Sequence, residues 1–371
     1  MKVAILTLPL NINYGGVLQA YALQTTLERM GHEVTILDKE KKWKQPLWRV
    51  PFSLLKRLVL KFITRGQSII FFERYWNRVY PLISVNINKF INQYLHIRIV
   101  DFNEFNDIKE SDYDAIIVGS DQIWRPKYFG KTIENAFLAF TNNWEIKRVS
   151  YAASFGTSAW EYSKHATKQC GKLIRDFDAV SVREFHGIDL CKRYFNVDAQ
   201  WVLDPTMLLN ENDYKNLINQ DELQSKSGDI FYYILDETDD KLCLLQLLEK
   251  ELNLKGFRIK VHSASAGSFD VQPPVEVWIK SFIDARYVVT DSFHGCVFAI
   301  LFNKPFIVYG NKERGLSRIE SLLKDFNLEH RLIYSSSDWS VLLEPLPSTL
   351  TNDLEIKRTK SLKFLGDSLK H

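Results

Sequence analysis

Short runs rich in β-branched residues alternate with helical patterns along almost the whole chain, and this alternation limits the fold more than any other feature. The opening reads as strand, turn, helix, strand: KVAILTL, NINYGG, VLQAYALQTTLERM with apolar residues at helical spacing, then GHEVTILD. DAIIVG (114–119), RVSYAAS (148–154), AVSVRE (179–184) and QWVLD (200–204) continue the pattern, each running into a turn or helical stretch. The polar segment NQDELQSKSGD (219–229) breaks it, and DIFYYILD (229–236), RIKVHSA (258–264), YVVTD (287–291) and PFIVYG (305–310) restart it. Strands alternating with helices form parallel sheets covered on both faces. The sequence therefore predicts an α/β protein of two doubly wound, Rossmann-like domains, 1–218 and 230–345, with a linker at 219–229 and a C-terminal helix over 346–371. A chain of 371 residues agrees with two domains at ~150 residues each.

Two such domains enclose a cleft, and open parallel sheets bind ligands beyond the carboxyl ends of their strands. Asn13, Tyr14, Gly15 and Gly16 fill the first strand-to-helix turn, where glycines admit close approach of a ligand and a helix N-terminus presents free N–H groups to an anion. A tight structural turn explains the same residues equally well, and the absence of G-x-G-x-x-G argues against dinucleotide binding. Ser120 and Asp121 follow the apolar run AIIVG. The Asp121 carboxylate there is placed either to orient or deprotonate a hydroxyl or to cap the next segment. Arg183 ends another strand and, because a guanidinium stays charged on burial, needs an anion: Asp204, or a bound phosphate or carboxylate.

His294 lies in TDSFHGCVFAILFNKPFIVYG (290–310), between a buried strand and a buried helix that Ser292 is placed to cap. A lone histidine beside an apolar run is often a core residue. At a strand end facing a cleft it can instead shuttle a proton near neutral pH, since a helix N-terminus disfavours the imidazolium while a bound polyanion favours it.

Hydrophobic and charged contents of 46% and 25% exclude a disordered or fibrous chain. The four cysteines are scattered without a C-x-x-C pair, so no metal site is expected and a reducing, cytoplasmic compartment is. MKVAILTL is too short for a secretory signal, and no run approaches the ~20 apolar residues that span a bilayer. The net charge of +3 hides an asymmetry: Lys41 to Arg78 holds ten Lys or Arg against the single acid Glu73, so this excursion is +9 and the rest −6. Trp43, Trp48, Phe52, Phe62, Phe71, Phe72 and Trp76 are interleaved with those cations. That mixture suits peripheral contact with the inner face of an anionic membrane, or a helical excursion packed by its own aromatics. Nucleic acid is not an expected partner, because no recognition module accompanies the charge.

Taken in order, NYGGVLQAYALQ, DAIIVGSDQIWR, SYAASFG, AVSVRE and TDSFHGCVFAILFNKPFIVYG resemble the polysaccharide pyruvyl transferase family, from about Val3 to about Leu328. The resemblance implies a GT-B-like fold and transfer of pyruvate from phosphoenolpyruvate, the co-substrate, to a glycan or lipid-linked saccharide acceptor. The product would be a cyclic ketal, with phosphate released and no cofactor. It also implies roles: His294 as acid/base at the enol, Arg183 as ligand of the donor anion, Arg314 with Lys312 beside it as the basic residues after the next strand, and Asp121 at the acceptor hydroxyl. Ser292 stands where many relatives carry Arg, which leaves Arg314 or Arg318 to supply that contact. Two other functions fit the same fold: a nucleotide-sugar glycosyltransferase, and a noncatalytic scaffold in polysaccharide assembly.

Overall fold

The computed structural model describes residues 1–41, 49–63, 70–218, 228–259, 271–311, 315–342 and 345–370. Among these, β1 (Lys2–Leu6), β2 (Glu33–Asp38), β3 (Ile97–Ile99), β4 (Ala115–Val118), β5 (Lys147–Ala153), β6 (Ala179–Val182) and β7 (Gln200–Trp201) form a parallel sheet in the order β3-β2-β1-β4-β5-β6-β7. A second parallel sheet contains β8 (Ile230–Tyr233), β9 (Gly256–Phe257), β10 (Tyr287–Thr290), β11 (Phe306–Tyr309) and β12 (Leu332–Ile333), ordered β12-β11-β10-β8-β9. The central strands are covered on both faces: Val3, Ala4, Ile5 and Leu6 are fully buried, as are Val288 and Val289. This is why they read as continuous apolar runs rather than alternating ones.

Strand order reverses between β1 and β4 in the first sheet and between β8 and β10 in the second. At such switch points the connections leave on opposite faces and a crevice opens. Both crevices meet in one cleft, whose walls include Pro9 after β1, Asp121 after β4, Leu235 after β8 and Asp291 to His294 after β10.

The halves share one apolar cluster, running from Val3 and Ile5 through Trp278 and Phe298 to Leu365. The helix α1 (Tyr14–Arg29) begins at the seam. Tyr14 donates its hydroxyl to the Pro273 carbonyl at 2.8 Å, and its ring stacks on Trp278 at 5.5 Å. Trp278 also packs against Tyr233, Phe282 and Phe298. The C-terminal helix, Leu350–Ser368, returns to the first half: Ser361 accepts from the Leu203 amide at 3.0 Å, and Arg358 donates to the carbonyls of Met207 and Leu209.

Among the described residues, α2 (Val50–Ile63), α3 (Phe72–Ile83) and α4 (Val85–Tyr94) lie between β2 and β3, so the described part of the basic excursion is largely helical. Val79, Tyr80 and Ile83 hold α3 against Ile12. The edge strands β3 and β12 were not anticipated, being three and two residues long, too short for a period of two to register. The strand expected at RIKVHSA is not seen at residues 258 and 259, which follow the two-residue β9; residues 260–264 lie outside the described residues, as do 219–227 of the expected linker.

Trp278 sits at the centre of the shared core, so Trp278→Ala should cost ~3–5 kcal/mol. The expected result is a lower urea midpoint with little change in slope. A loss under ~1 kcal/mol would mean that this ring does not hold the halves together.

Candidate active site

The helix Phe293–Leu301 starts directly after β10, and its first turn is locked from several sides. Thr290 Oγ1 accepts from the Ser292 amide at 3.1 Å, and Ser292 Oγ accepts from the Gly295 amide at 3.4 Å, so Ser292 is the N-cap. Position 295 must be glycine, since a Cβ there would lie 2.1 Å from Thr290 Oγ1. Asp291 accepts from the Leu235 and Asp236 amides and from Lys241 Nζ at 2.7, 3.2 and 2.8 Å, which ties the ends of β8 and β10 together.

This frame pushes His294 across the seam. A Cβ on Gly15 would lie 1.9 Å from His294 Nδ1, so the glycine in the first turn exists to admit the imidazole of the other half. On its other edge, Nε2 is 3.8 Å from Asp204 Oδ2 and has no hydrogen-bond partner. Burial pushes the pKa of His294 down to about 4, against the pull of Asp204 and with the help of Arg183. The imidazole is therefore neutral at physiological pH.

Behind it lies a buried charge cluster. Arg183 donates from Nη1 to Asp204 Oδ2 at 2.7 Å, from Nε to Glu184 Oε1 at 3.4 Å and from Nη2 to Asp121 Oδ1 at 3.5 Å. Its guanidinium lies 4.4 Å from the centre of the Phe293 ring. Burial opposes the charge, yet Asp204, Glu184 and Asp121 outweigh it and raise the Arg183 pKa. Burial alone would raise the pKa of Asp204, but Arg183, His294 and the Thr206 hydrogen bond bring it below the usual carboxylate range. Arg318 approaches the same Phe293 ring at 5.5 Å and the same Asp121 oxygen at 3.7 Å. Burial and the neighbouring Arg183 lower its pKa. Two guanidinium groups thus share one aromatic ring and one carboxylate.

The cleft measures about 240 Å³ and is lined by Asn13, Gly16, Asp121, Ser292, His294 and Arg318 among others. Asn13 caps α1, accepting from the Gly15 amide at 3.1 Å. Tyr14 does not line the cleft but belongs to the seam. Ser120 is held by Gln19 of α1, to which it donates from amide and hydroxyl at 3.1 and 2.7 Å. Asp121 is no helix cap; it takes a left-handed φ of 49° and faces the two arginines. Arg183 has the acid partner that its sequence context offered, Asp204, and stands behind the cleft wall, so among the described residues Arg318 is the cation that lines it. Lys312 and Arg314 lie outside the described residues. Phe293 and Asp291 went unnoticed in sequence because their partners come from other elements, and Glu184 because its second partner, Ser154, lies on a neighbouring strand's end.

A second cavity, about 520 Å³, shares Pro9 and Tyr128 with the cleft. Phe102 and Phe129, stacked at 5.9 Å, line it with Asp101, Asn103, Asp107 and Thr132. Nothing in the strand pattern pointed to this space. No helix among the described residues is long and apolar enough to cross a membrane.

The sequence model of the polysaccharide pyruvyl transferase family matches residues 13–313. No curated protein matches the chain in sequence. In structure, the chain resembles Arabidopsis thaliana UGT89C1 complexed with UDP-L-rhamnose, with a TM-score of 0.52 at 10% identity over 99% of both chains. The UDP complex of the same plant protein gives 0.50 at 9% identity, again over 99% of both. At such identity these likenesses establish the fold, which is GT-B-like, and nothing about the ligand.

Two measurements test this electrostatic arrangement. Arg183→Ala leaves three buried carboxylates facing one another and should cost about 3–5 kcal/mol in urea denaturation; a loss under ~1 kcal/mol would show that the cluster relaxes. His294 has a folded pKa of about 4 against ~6.5 unfolded, so the unfolded chain binds its proton first on acidification. Its contribution is complete above pH ~6.5 and is lost towards pH ~4, roughly 3 kcal/mol in all. His294→Gln should flatten the stability profile in that window, and an unchanged slope would place its titration elsewhere.

Proposed function

The chain belongs to the polysaccharide pyruvyl transferase family, and from that premise we propose that it transfers pyruvate from phosphoenolpyruvate to a saccharide, forming a ketal and releasing phosphate. The observation that carries this reading is His294: a neutral imidazole with an unpartnered Nε2, fixed at the seam of both halves beside Asp204, Asp121 and Arg318. Phosphoenolpyruvate is a phosphate and a carboxylate on three carbons. Arg318 and the N-termini of α1 and the His294 helix offer it charge and N–H donors at one place. A donor anion beside the imidazole raises the imidazole pKa, so donor binding loads the acid that the enol needs. The proton goes to the methylene carbon, one acceptor hydroxyl bonds to the adjacent carbon, the C–O bond to phosphate breaks, and the second hydroxyl closes the ring. One hydroxyl proton ends on the new methyl group and the other on phosphate. His294 relays these protons, and Asp121 accepts from the attacking hydroxyl.

The second cavity supports a saccharide as acceptor. Its two stacked phenyl rings offer an apolar platform, and Asp101, Asn103, Asp107 and Thr132 offer partners for hydroxyls. The shared wall at Tyr128 leads from there to the cleft. A lipid-linked precursor presents the same sugar chemistry as a free glycan.

Phosphoenolpyruvate should raise the melting temperature while UDP-sugars do not; the opposite result would favour a nucleotide-sugar glycosyltransferase. His294→Gln should keep most of that thermal shift yet release phosphate about a hundredfold more slowly with saturating donor and acceptor. A folded variant with near-normal turnover would remove His294 from the chemistry.

A further inference from the structure

A surface helix ordinarily turns its apolar side inward, but α2 does the reverse. At 3.6 residues per turn, Pro51, Phe52, Leu55, Leu58 and Val59 fall on one face together with Lys56, and that face meets solvent. Phe52 is 72% exposed, Leu55 63%, Leu58 41% and Val59 50%. The opposite face carries Arg57, which fastens α2 to the start of α3. Arg57 donates from Nη1 and Nη2 to the Glu73 carboxylate at 2.6 and 2.5 Å and from Nη1 to the Ile70 carbonyl at 3.2 Å, and its guanidinium lies over Phe72 at 5.6 Å. A bidentate ion pair therefore sets the orientation of the helix and leaves Leu55 and Leu58 outside. Glu73, the only acid between Lys41 and Arg78, is engaged in that pair, while Lys56, Arg74 and Arg78 are exposed.

We propose that this face of α2 docks on an anionic lipid bilayer, with Phe52, Leu55, Leu58 and Val59 at the boundary between headgroups and acyl chains and Lys56, Arg74 and Arg78 against lipid phosphates. With 14 residues the helix is shorter than the ~20 needed to span a bilayer, so it lies in the plane of the interface. A groove on a protein would accept the same leucines. The positive charge of the segment that carries them, +9 from Lys41 to Arg78 in sequence, is what selects a lipid surface of opposite sign.

The test is cosedimentation of the full chain with vesicles of phosphatidylcholine, with and without phosphatidylglycerol. Binding is expected with phosphatidylglycerol at low salt, and about tenfold weaker binding on phosphatidylcholine alone. The same weakening is expected near ~1 M salt, where the screening length falls to about 3 Å. Phe52→Glu with Leu55→Glu should weaken binding about tenfold or more without lowering the melting temperature, since both residues are exposed. Absence of binding at low salt, or full binding by the double variant, overturns the proposal. Self-association of the native chain that the double variant abolishes would assign the face to a second copy instead. No step of this test requires pyruvyl transfer, so its failure and that of the proposed reaction are separable.

Discussion

A guanidinium that cannot discharge is buried where two sheets meet, and the candidate site is arranged around it. Arg183 follows β6, Asp121 follows β4 and Asp204 follows β7, so one side chain gathers the carboxyl ends of three strands of the first sheet. Its guanidinium also lies over the ring of Phe293 from the other half, 4.4 Å from its centre, a cation–π contact across the seam. Phe293 immediately precedes His294, so the cation–π contact that joins the halves also places the imidazole. Asp204 serves both residues: it binds Arg183 directly and stands 3.8 Å from His294 Nε2.

Much of this frame was legible before any coordinates. Buried strands such as AIIV and YVVT announce themselves as continuous β-branched runs, and the break after residue 218 separates two sets of them. Strand ends then point to Asp121, Arg183 and His294 without any knowledge of contacts, because parallel sheets bring their carboxyl ends to one side. The partners of those residues were not legible. Sequence offers Arg183 several acids, and only the fold assigns it Asp204, Glu184 and Asp121 together. The reason for Gly15 lies 279 residues away, at the His294 ring that a Cβ would strike; a local pattern can suggest a turn or a ligand, but not a side chain from another domain. The acidic and aromatic cavity around Phe102 and Phe129 is built from loops and a four-residue helix, which are too short or irregular to carry a period.

The basic excursion shows the same limit at the level of a whole helix. Spacing marks α2 as two-faced, yet spacing cannot say which face is outside. The answer depends on Arg57 meeting Glu73 across a turn and pinning the polar side against α3. Without that ion pair, the ordinary expectation that leucines turn inward would hold.

Charge balance limits how the cleft can receive an anion. Arg183 and Arg318 carry two formal positive charges against three on Asp121, Glu184 and Asp204, and His294 is neutral, so the described cluster has no cation to spare. A ligand with phosphate and carboxylate groups must bring in protons, cations or both. His294 is suited to the first task, because its lowered pKa arises mainly from burial, a penalty that a neighbouring anion offsets. Asp121 is suited to release: its contacts to the arginines, 3.5 and 3.7 Å, are at or beyond the outer limit of a hydrogen bond, whereas Asp204 holds Arg183 at 2.7 Å. The strong pair keeps the frame and the weak pairs are the ones an incoming anion can displace. Displacement would turn Arg318 towards the ligand and leave the Asp121 carboxylate free to accept a proton from a hydroxyl. In the proposed reaction, the same residues that neutralise the closed cluster would serve as acid, anion clamp and base once the anion is bound.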